Sequence, residues 1–488
     1  MHRFRGLRLP RISYLTDLEG DAGTWQRYVQ ISEVLEEGPD GSVHVKAGCH
    51  FVFGGDAVDH KSGSRQVLTE LLSLRKRFPD QVHLLLGNRD INKLRLLVEL
   101  GDKHLEAQPL RTHPGVYWLR DKPPHSVLTE AEVASNSAVT RLKWILRHTM
   151  GAADAFEACR DELNRNRAPP GLMSDTSGES GVSDEDVLES FRSMLLPGGL
   201  MFEYLQHGRL AVRIGTALFV HAGLPRSGST WKPGWVPNWR DAGPHTEGLP
   251  LDVWIQALED LRAGALSQCE AAHNEGYWGT SAWSTIGGYL CEQPGSALMQ
   301  YGMRDMPDGS RQPSVVYNGW LNEEEYQPLQ PDAATLAWLR EGGVTHILTG
   351  HLPHGDAPLV IRLAEDLWAV LADTTYGSAV QWPHDAAATD DCTRARSAKA
   401  PGRGKSLCEV QLDEAGELRV HGFLSNGQPF EARQADRALG LSTADRWRVK
   451  GRVGSKLLLC RNVRWDFENR FGDEADTELV NCVSDGRS

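Results

Sequence analysis

The sequence predicts an α/β fold built around parallel strands. Short runs rich in Val, Leu, Ile and Phe recur without the strict alternation of a half-exposed strand, as expected where both faces of a sheet are covered. Several end on a polar cluster: RISYLT before Asp17, HFVFGG before Asp56, VHLLLG before Asn88, TALFV before His221 and THILTG before His351. Between the second and third runs, SRQVLTELLSLRKRF places Leu68, Leu71, Leu72 and Arg75 at helical spacing and is closed by Pro79. That unit reads strand, helix, strand. A right-handed crossover makes its strands parallel, and ligands of open α/β sheets bind beyond the carboxyl ends of the strands, where these polar residues fall.

A chain of 488 residues exceeds the ~100–200 residues of one ordinary domain, so a large core with insertions, or two units, is expected. Two intervals, about 101–210 and 226–342, are too long for simple connections. RLKWILRHTM, DAFEACRDEL and LDVWIQALEDLRAGALSQC have apolar residues at helical spacing and make these intervals helical insertions. SDTSGESGVSDEDVLES is acidic; its start reads as a loop, and Ser183 followed by Asp186 reads as a helix cap. LVIRL and LWAVLADTTYG follow the last polar cluster, then a loop at about 381–406. CEVQLDEAGELRVHGFL alternates on both sides of a polar turn, as in a hairpin that completes a second sheet. The expected organisation is a domain over 1–435 and a tail of unknown role over 436–488.

Composition excludes several classes. No stretch approaches the roughly 18 apolar residues of a membrane span. With 52 Lys and Arg against 65 Asp and Glu, the net charge of −13 argues against broad binding of nucleic acid. The eight cysteines are scattered, with no CxxC pair, and read as reduced thiols of an intracellular, cytoplasmic protein. The basic N-terminus lacks the apolar stretch of a secretory signal; a short organelle-targeting role for it stays open. The tryptophans, among them Trp231, Trp235 and Trp239, read as core or interface residues.

Singly, an Asp after a strand is a common cap and a His a common satisfied core group. Together, Asp, Asp, Asn, His and His at successive strand ends supply mixed oxygen and nitrogen donors. In the order TDLEGD, GGDAVDH, GNRD, VHAG and GHLPHG, the motifs over 17 to about 355 resemble the five blocks of calcineurin-like metallophosphoesterases. The resemblance implies a four-layer α/β/β/α fold with two packed mixed sheets, and a site for two divalent ions, Mn foremost, with Fe, Zn or Mg as alternatives. It implies that Asp17 binds the first ion, that Asp56 bridges both, and that Asn88, His221 and His351 bind the second.

The sequence departs from that pattern at three places. Glu19 stands where the first block has a histidine; as a ligand it would make a harder site. Arg89 replaces the histidine of the third block, and its fork of donors suits a phosphate rather than proton transfer. Asp59 and Asp90 are expected to orient Arg89 or a metal-bound water. In the last block Pro353 takes the place of a histidine, and His354, one step further, would complete the first ion, donate a proton to the leaving group or serve structure. Asn92, Lys93 and Arg95 read either as phosphate contacts or as the solvated face of a helix, the latter favoured for Arg95; His60 and Lys61 carry the same two readings.

The expected function is metal-dependent hydrolysis of a phosphate ester, a monoester foremost, by a water bridging two ions. The expected substrate is a phosphorylated small molecule or nucleotide, with a phosphoprotein as an alternative. A nucleotide or cyclic-nucleotide phosphodiesterase and a non-catalytic metal- or phosphate-binding scaffold are the rivals.

Overall fold

The computed structural model describes residues 9–119, 122–167, 181–224, 232–237, 246–277, 294–306, 309–322, 327–374, 406–463 and 466–480. The expected loop at 381–406, except Ser406, lies outside them. So do the start of the acidic stretch, Trp231 and Trp239, and Cys291, Cys392 and Cys482. The early strands are β1 (Arg11–Leu15), β2 (Leu35–Glu37), β3 (Val43–Val45), β4 (Cys49–Phe53), β5 (Val82–Leu85) and β6 (Gly208–Arg209). They are followed by β7 (Ala211–Ile214), β8 (Ala217–Val220), β9 (His346–Thr349), β10 (Leu359–Ala364) and β11 (Leu367–Leu371). The last six are β12 (Leu407–Leu412), β13 (Leu418–Phe423), β14 (Pro429–Arg433), β15 (Arg448–Val453), β16 (Lys456–Val463) and β17 (Asp466–Gly472).

The architecture is mixed α/β. Among the described residues, one sheet runs β17-β16-β15-β14-β13-β12-β1-β4-β5-β6, a second β10-β11-β9-β8-β7, and β2 and β3 form a separate ribbon. β1, β4 and β5 are parallel neighbours, as are β8, β9 and β11. Alternation along the strands explains how the large sheets are covered. Ile12, Tyr14 and Val52 point to one side, where they share a buried cluster with Phe219, Leu348 and Val370 of the second sheet. Phe51 and Phe53 point to the other side, into a cluster with Trp25 and Tyr28 of α1 (Ala22–Ile31) and Leu68 and Leu71 of α2 (Ser64–Arg77).

The long intervals carry the expected helices: Ala138–Trp144 continuing into a π-helical turn at Ile145–Thr149, Ala155–Arg167, and Leu251–Asn274. Ser183 caps the helix Asp184–Leu195 reciprocally: its Oγ accepts the Asp186 N–H at 3.1 Å, and Asp186 Oδ2 accepts the Ser183 N–H at 2.8 Å. Trp235 is buried, and its carbonyl accepts Trp254 Nε1 at 2.9 Å. Cys49, Cys159, Cys269, Cys408 and Cys460 are free thiols. No helix among the described residues is long and apolar enough to cross a membrane.

Two outcomes differ from the sequence reading. The segment 436–488, read as a tail, carries β15, β16 and β17 of the first sheet, paired antiparallel one to the next. Its basic residues hide the alternation, because Lys450 is a buried position between Val449 and Gly451. Arg95, read as solvated, is wholly buried. Its Nε and Nη2 pair with Glu99 at 2.7 and 3.2 Å, Nη2 also donates to Thr149 at 3.1 Å, and its guanidinium lies 4.8 Å from the Trp118 ring centre. A charged side chain at helical spacing reads as exposed unless its partner is recognised, and Glu99 is that partner. Arg95→Ala strands the Glu99 carboxylate in the core and is expected to cost about 3–5 kcal/mol, read as a lowered denaturant midpoint; a shift below about 1 kcal/mol would show the pair to be energetically idle.

Candidate metal centre

The register of the sheets gathers the polar clusters. Leu15 pairs with Phe53 and Phe53 with Leu84, so β1, β4 and β5 end together. Asp17, Asp56 and Asn88 leave these ends, with Asn88 opening α3 (Asn88–Asn92). His221 follows β8 directly and His351 lies two residues beyond β9. Contacts then tie the sheets at these ends: the His351 N–H donates to Asp17 Oδ2 at 3.0 Å, and His221 Nδ1 lies 2.8 Å from the Gly54 carbonyl oxygen.

The turns are held under strain. Eight non-glycine residues among those described have positive φ, and five are Asp17 (55°), Glu19 (48°), Asp56 (54°), Asp59 (144°) and His351 (70°). Each such conformation costs of order 1–3 kcal/mol and persists only where its surroundings impose it. Asp90 supplies part of that imposition. Its Oδ2 accepts the N–H groups of Asp56 and Gly87 at 2.8 Å each, and its Oδ1 accepts that of Ala57 at 2.9 Å. A Cβ at Gly87 would meet Asp56 Oδ1 at 2.0 Å, so only glycine admits this approach.

Three donors converge. One ligand atom each from Asp56, His221 and His351 falls within 4.8 Å of the others. His221 Nε2 is 3.5 Å from Asp56 Oδ2 and 3.2 Å from Asn88 Oδ1, and its ring lies across that of His351 with centroids 5.3 Å apart. The contact of Nδ1 with the Gly54 carbonyl leaves Nε2 as the donor facing Asp56 and Asn88, the arrangement in which a ligating imidazole is oriented by its other nitrogen. The donor set of carboxylate, imidazoles and amide oxygen fits a divalent first-row ion.

Asp17 and Glu19 are buried nearby but outside that group. Asp17 Oδ2 accepts from the Thr16 hydroxyl as well as from His351. Glu19 Oε1 lies 2.7 Å from Arg89 Nε, while Glu19 Oε2 is buried without a hydrogen-bond partner. Arg89 also pairs with Asp59 through Nη1 at 3.1 Å, and its backbone N–H donates to Asp56 Oδ1 at 2.9 Å. Lys93 is buried rather than solvated and reaches Asp59 Oδ1 at 2.5 Å. His60 is buried and Lys61 half-buried beside the same turn. His354 turns its ring to Phe467, with centroids 4.7 Å apart, and is not one of the converging donors.

The sequence reading missed three residues. Asp373, one step after an Ala372 whose N–H donates to the Thr349 carbonyl at 2.8 Å, is buried with its charge felt at Asp17. Tyr317 packs its ring 5.0 Å from that of His351. Lys450 of β15 donates to the carbonyls of His354 and Ala357 and so holds the loop after His351. A lysine inside an alternating strand was the one signal for the last; Tyr317 gave none.

Electrostatics divides these groups. Burial and the nearby Asp373 and Asp56 carboxylates push Asp17 well above the ordinary carboxylate range. Burial and Asp56 push Asp90 to about 7 against its backbone hydrogen bonds. Burial opposes charge at Asp56 too, but His221, Arg89 and His351 outweigh it and hold the carboxyl well below its usual value. Burial likewise opposes charge on His221, yet Asp56 and Asp17 lift it to about 10, whereas burial and the charge of His221 press His351 down to about 3.

No family model matches the chain, and no curated protein matches it. Similar solved structures include a cold-active protein-tyrosine phosphatase of a psychrophilic Shewanella species, at 14% identity over 88% of this chain and 80% of that one, with a TM-score of 0.40. A protein serine/threonine phosphatase from Saccharomyces cerevisiae is similar at 12% identity over 83% and 72%, with a TM-score of 0.30. Likeness at these scores carries no argument about the chemistry, which rests on the site's own geometry.

Asp56 and Asp17 push the His221 pKa up to about 10, so a His221 that ligates an ion gives up a proton on binding. Loading a divalent ion at about pH 8 is therefore expected to release about one proton per ion, and apparent affinity to rise up to about tenfold per pH unit. Calorimetry in buffers of different ionisation heat reads the proton count; no release would remove His221 from the ligand set.

Proposed function

We propose that this protein is a metal-dependent phosphate ester hydrolase acting foremost on monoesters, with its ion, Mn foremost, held by Asp56, His221, His351 and Asn88. The observation that carries the reading is the convergence of the first three at the carboxyl ends of parallel strands, beside a half-buried arginine. The four-layer arrangement belongs to the same reading, supported by the shared cluster between the two large sheets and the helices packed on the far face of the first.

A divalent ion held by Asp56, His221, His351 and Asn88 would supply Lewis-acid polarisation of a phosphoryl oxygen and activation of water. The protein's own groups do the rest. Asp90 fixes the Asp56 turn through three backbone amides, so the carboxylate is aimed before any substrate arrives. Arg89, whose side chain retains 21% exposure, presents a cation to incoming phosphate oxygens. Asp59 holds Arg89 and Lys93 in place. In this scheme His354 serves packing rather than proton transfer, and the leaving oxygen takes its proton from water. A phosphorylated small molecule or nucleotide is the proposed substrate class.

The test is hydrolysis of an aryl phosphate monoester and of the corresponding diester, with Mn²⁺ and after chelation. Monoester turnover is expected to vanish on chelation and return with Mn²⁺. Asp56→Asn should abolish it, beyond the roughly 10- to 100-fold cost of losing an outer partner of a ligand, with the circular dichroism spectrum unchanged. Turnover that survives both chelation and Asp56→Asn would sink the proposal, and faster diester cleavage would reassign the ester class.

A further inference from the structure

We infer that the site holds one divalent cation rather than two, with the Arg89 guanidinium as the fixed positive charge on the other side of Asp56. The inference rests on the metal-dependent reading above and concerns how the charge around Asp56 is divided.

Asp56 Oδ2 faces two different neighbourhoods. On one side His221 Nε2 lies at 3.5 Å, with His351 and Asn88 close by. These groups present two imidazole rings and an amide oxygen to Asp56. On the other side the same oxygen lies 3.6 Å from Arg89 Nε, which is itself 2.7 Å from Glu19 Oε1. The carboxylates available there are already matched to cations: Glu19 to Arg89, and Asp59 to both Arg89 and Lys93.

Arg89 is tied down at several points. Its N–H donates to Asp56 Oδ1 at 2.9 Å, and its carbonyl accepts from Lys93 Nζ at 3.1 Å. A guanidinium cannot escape by losing its proton, unlike a lysine in the same place. An ion entering between Glu19 and Asp56 would have to expel it and break its pairs with Glu19 and Asp59 together. What remains for such an ion is poor. Asp17 commits Oδ2 to Thr16 and His351, and although Asp17 Oδ1, the Asp373 carboxylate and the buried, unpartnered Glu19 Oε2 lie close by, no three acidic groups there converge as Asp56, His221 and His351 do among the described residues. A hard divalent ion requires several oxygen or nitrogen donors at once.

The pairing also gives Glu19 and Arg89 a joint meaning. Each is the nearest opposite charge to the other, at 2.7 Å. Removing the arginine should therefore open an anionic pocket between Glu19 and Asp56, with Asp59 still paired to Lys93 beside it, which attracts a second ion.

The experiment is metal stoichiometry on the full chain, stripped by chelation and titrated with Mn²⁺, by calorimetry and by elemental analysis after gel filtration. The unaltered protein is expected to take up about one ion per chain, and Arg89→Met about two. Glu19→Gln, which keeps the shape of the turn, is expected to retain about one ion with affinity within about threefold. About two ions in the unaltered protein, an Arg89→Met variant that folds but stays at one, or loss of an ion in Glu19→Gln would overturn the inference while leaving the metalloenzyme reading in place. No bound ion in the unaltered protein would overturn both.

Discussion

Taking carboxylates out of water where two sheets meet is the constraint on which this structure turns, because an uncompensated buried charge costs several kcal/mol. Asp17, Asp56, Asp59 and Asp90 are each under 5% exposed, and the fold answers each in a different way. Asp90 is satisfied by backbone amides alone. Asp59 is satisfied by Arg89 and Lys93, and Asp17 by a hydroxyl and an amide, with a raised pKa as the residue of an incomplete solution. Asp56 is answered by one ring that can give up its proton and one guanidinium that cannot. Only at Asp56 does the compensation remain exchangeable, and that is where a metal ion can take part.

The same economy explains the turns. A strand that ends in ordinary extended backbone would let its side chains follow the sheet surface, whereas left-handed residues at Asp17, Asp56 and His351 turn the chain sharply and bring both sheets' ends onto one point. The strain is borne by contacts made across the sheets, chiefly the His351 amide on Asp17 and the Asp90 bonds to the Asp56 turn. Geometry of that kind is set before any ligand binds, which is what electrostatic preorganisation requires.

Much of this was legible in the sequence, and the rest was hidden for identifiable reasons. The five apolar runs and the α2 periodicity were readable because core burial writes itself as uninterrupted Val, Leu, Ile and Phe. Asp56, Asn88, His221 and His351 were readable because they sit immediately after those runs. Arg95 and Lys93 were not, since burial of a cation depends on a partner, Glu99 or Asp59, that periodicity does not reveal. Tyr317 and Asp373 were hidden because their nearness to His351 and Asp17 is made by chain folding over long separations. The strands beyond residue 436 were hidden because Lys450, Arg452 and Arg461 interrupt an alternation that the structure satisfies with Asp436, Glu468, Glu474 and backbone carbonyls.

Lys450 joins the loop that carries His351 to a strand made about a hundred residues later. The strands that present Asp17, Asp56 and Asn88 emerge early in synthesis, yet the loop beside them stays without its anchor until β15 has left the ribosome. A nascent chain therefore carries the acidic half of the centre long before the supported histidine half. The order of translation itself sets when that anchor arrives: a polypeptide released short of β15 would lack the Lys450 contacts to the loop after His351 and have only the His351 amide on Asp17 to place it.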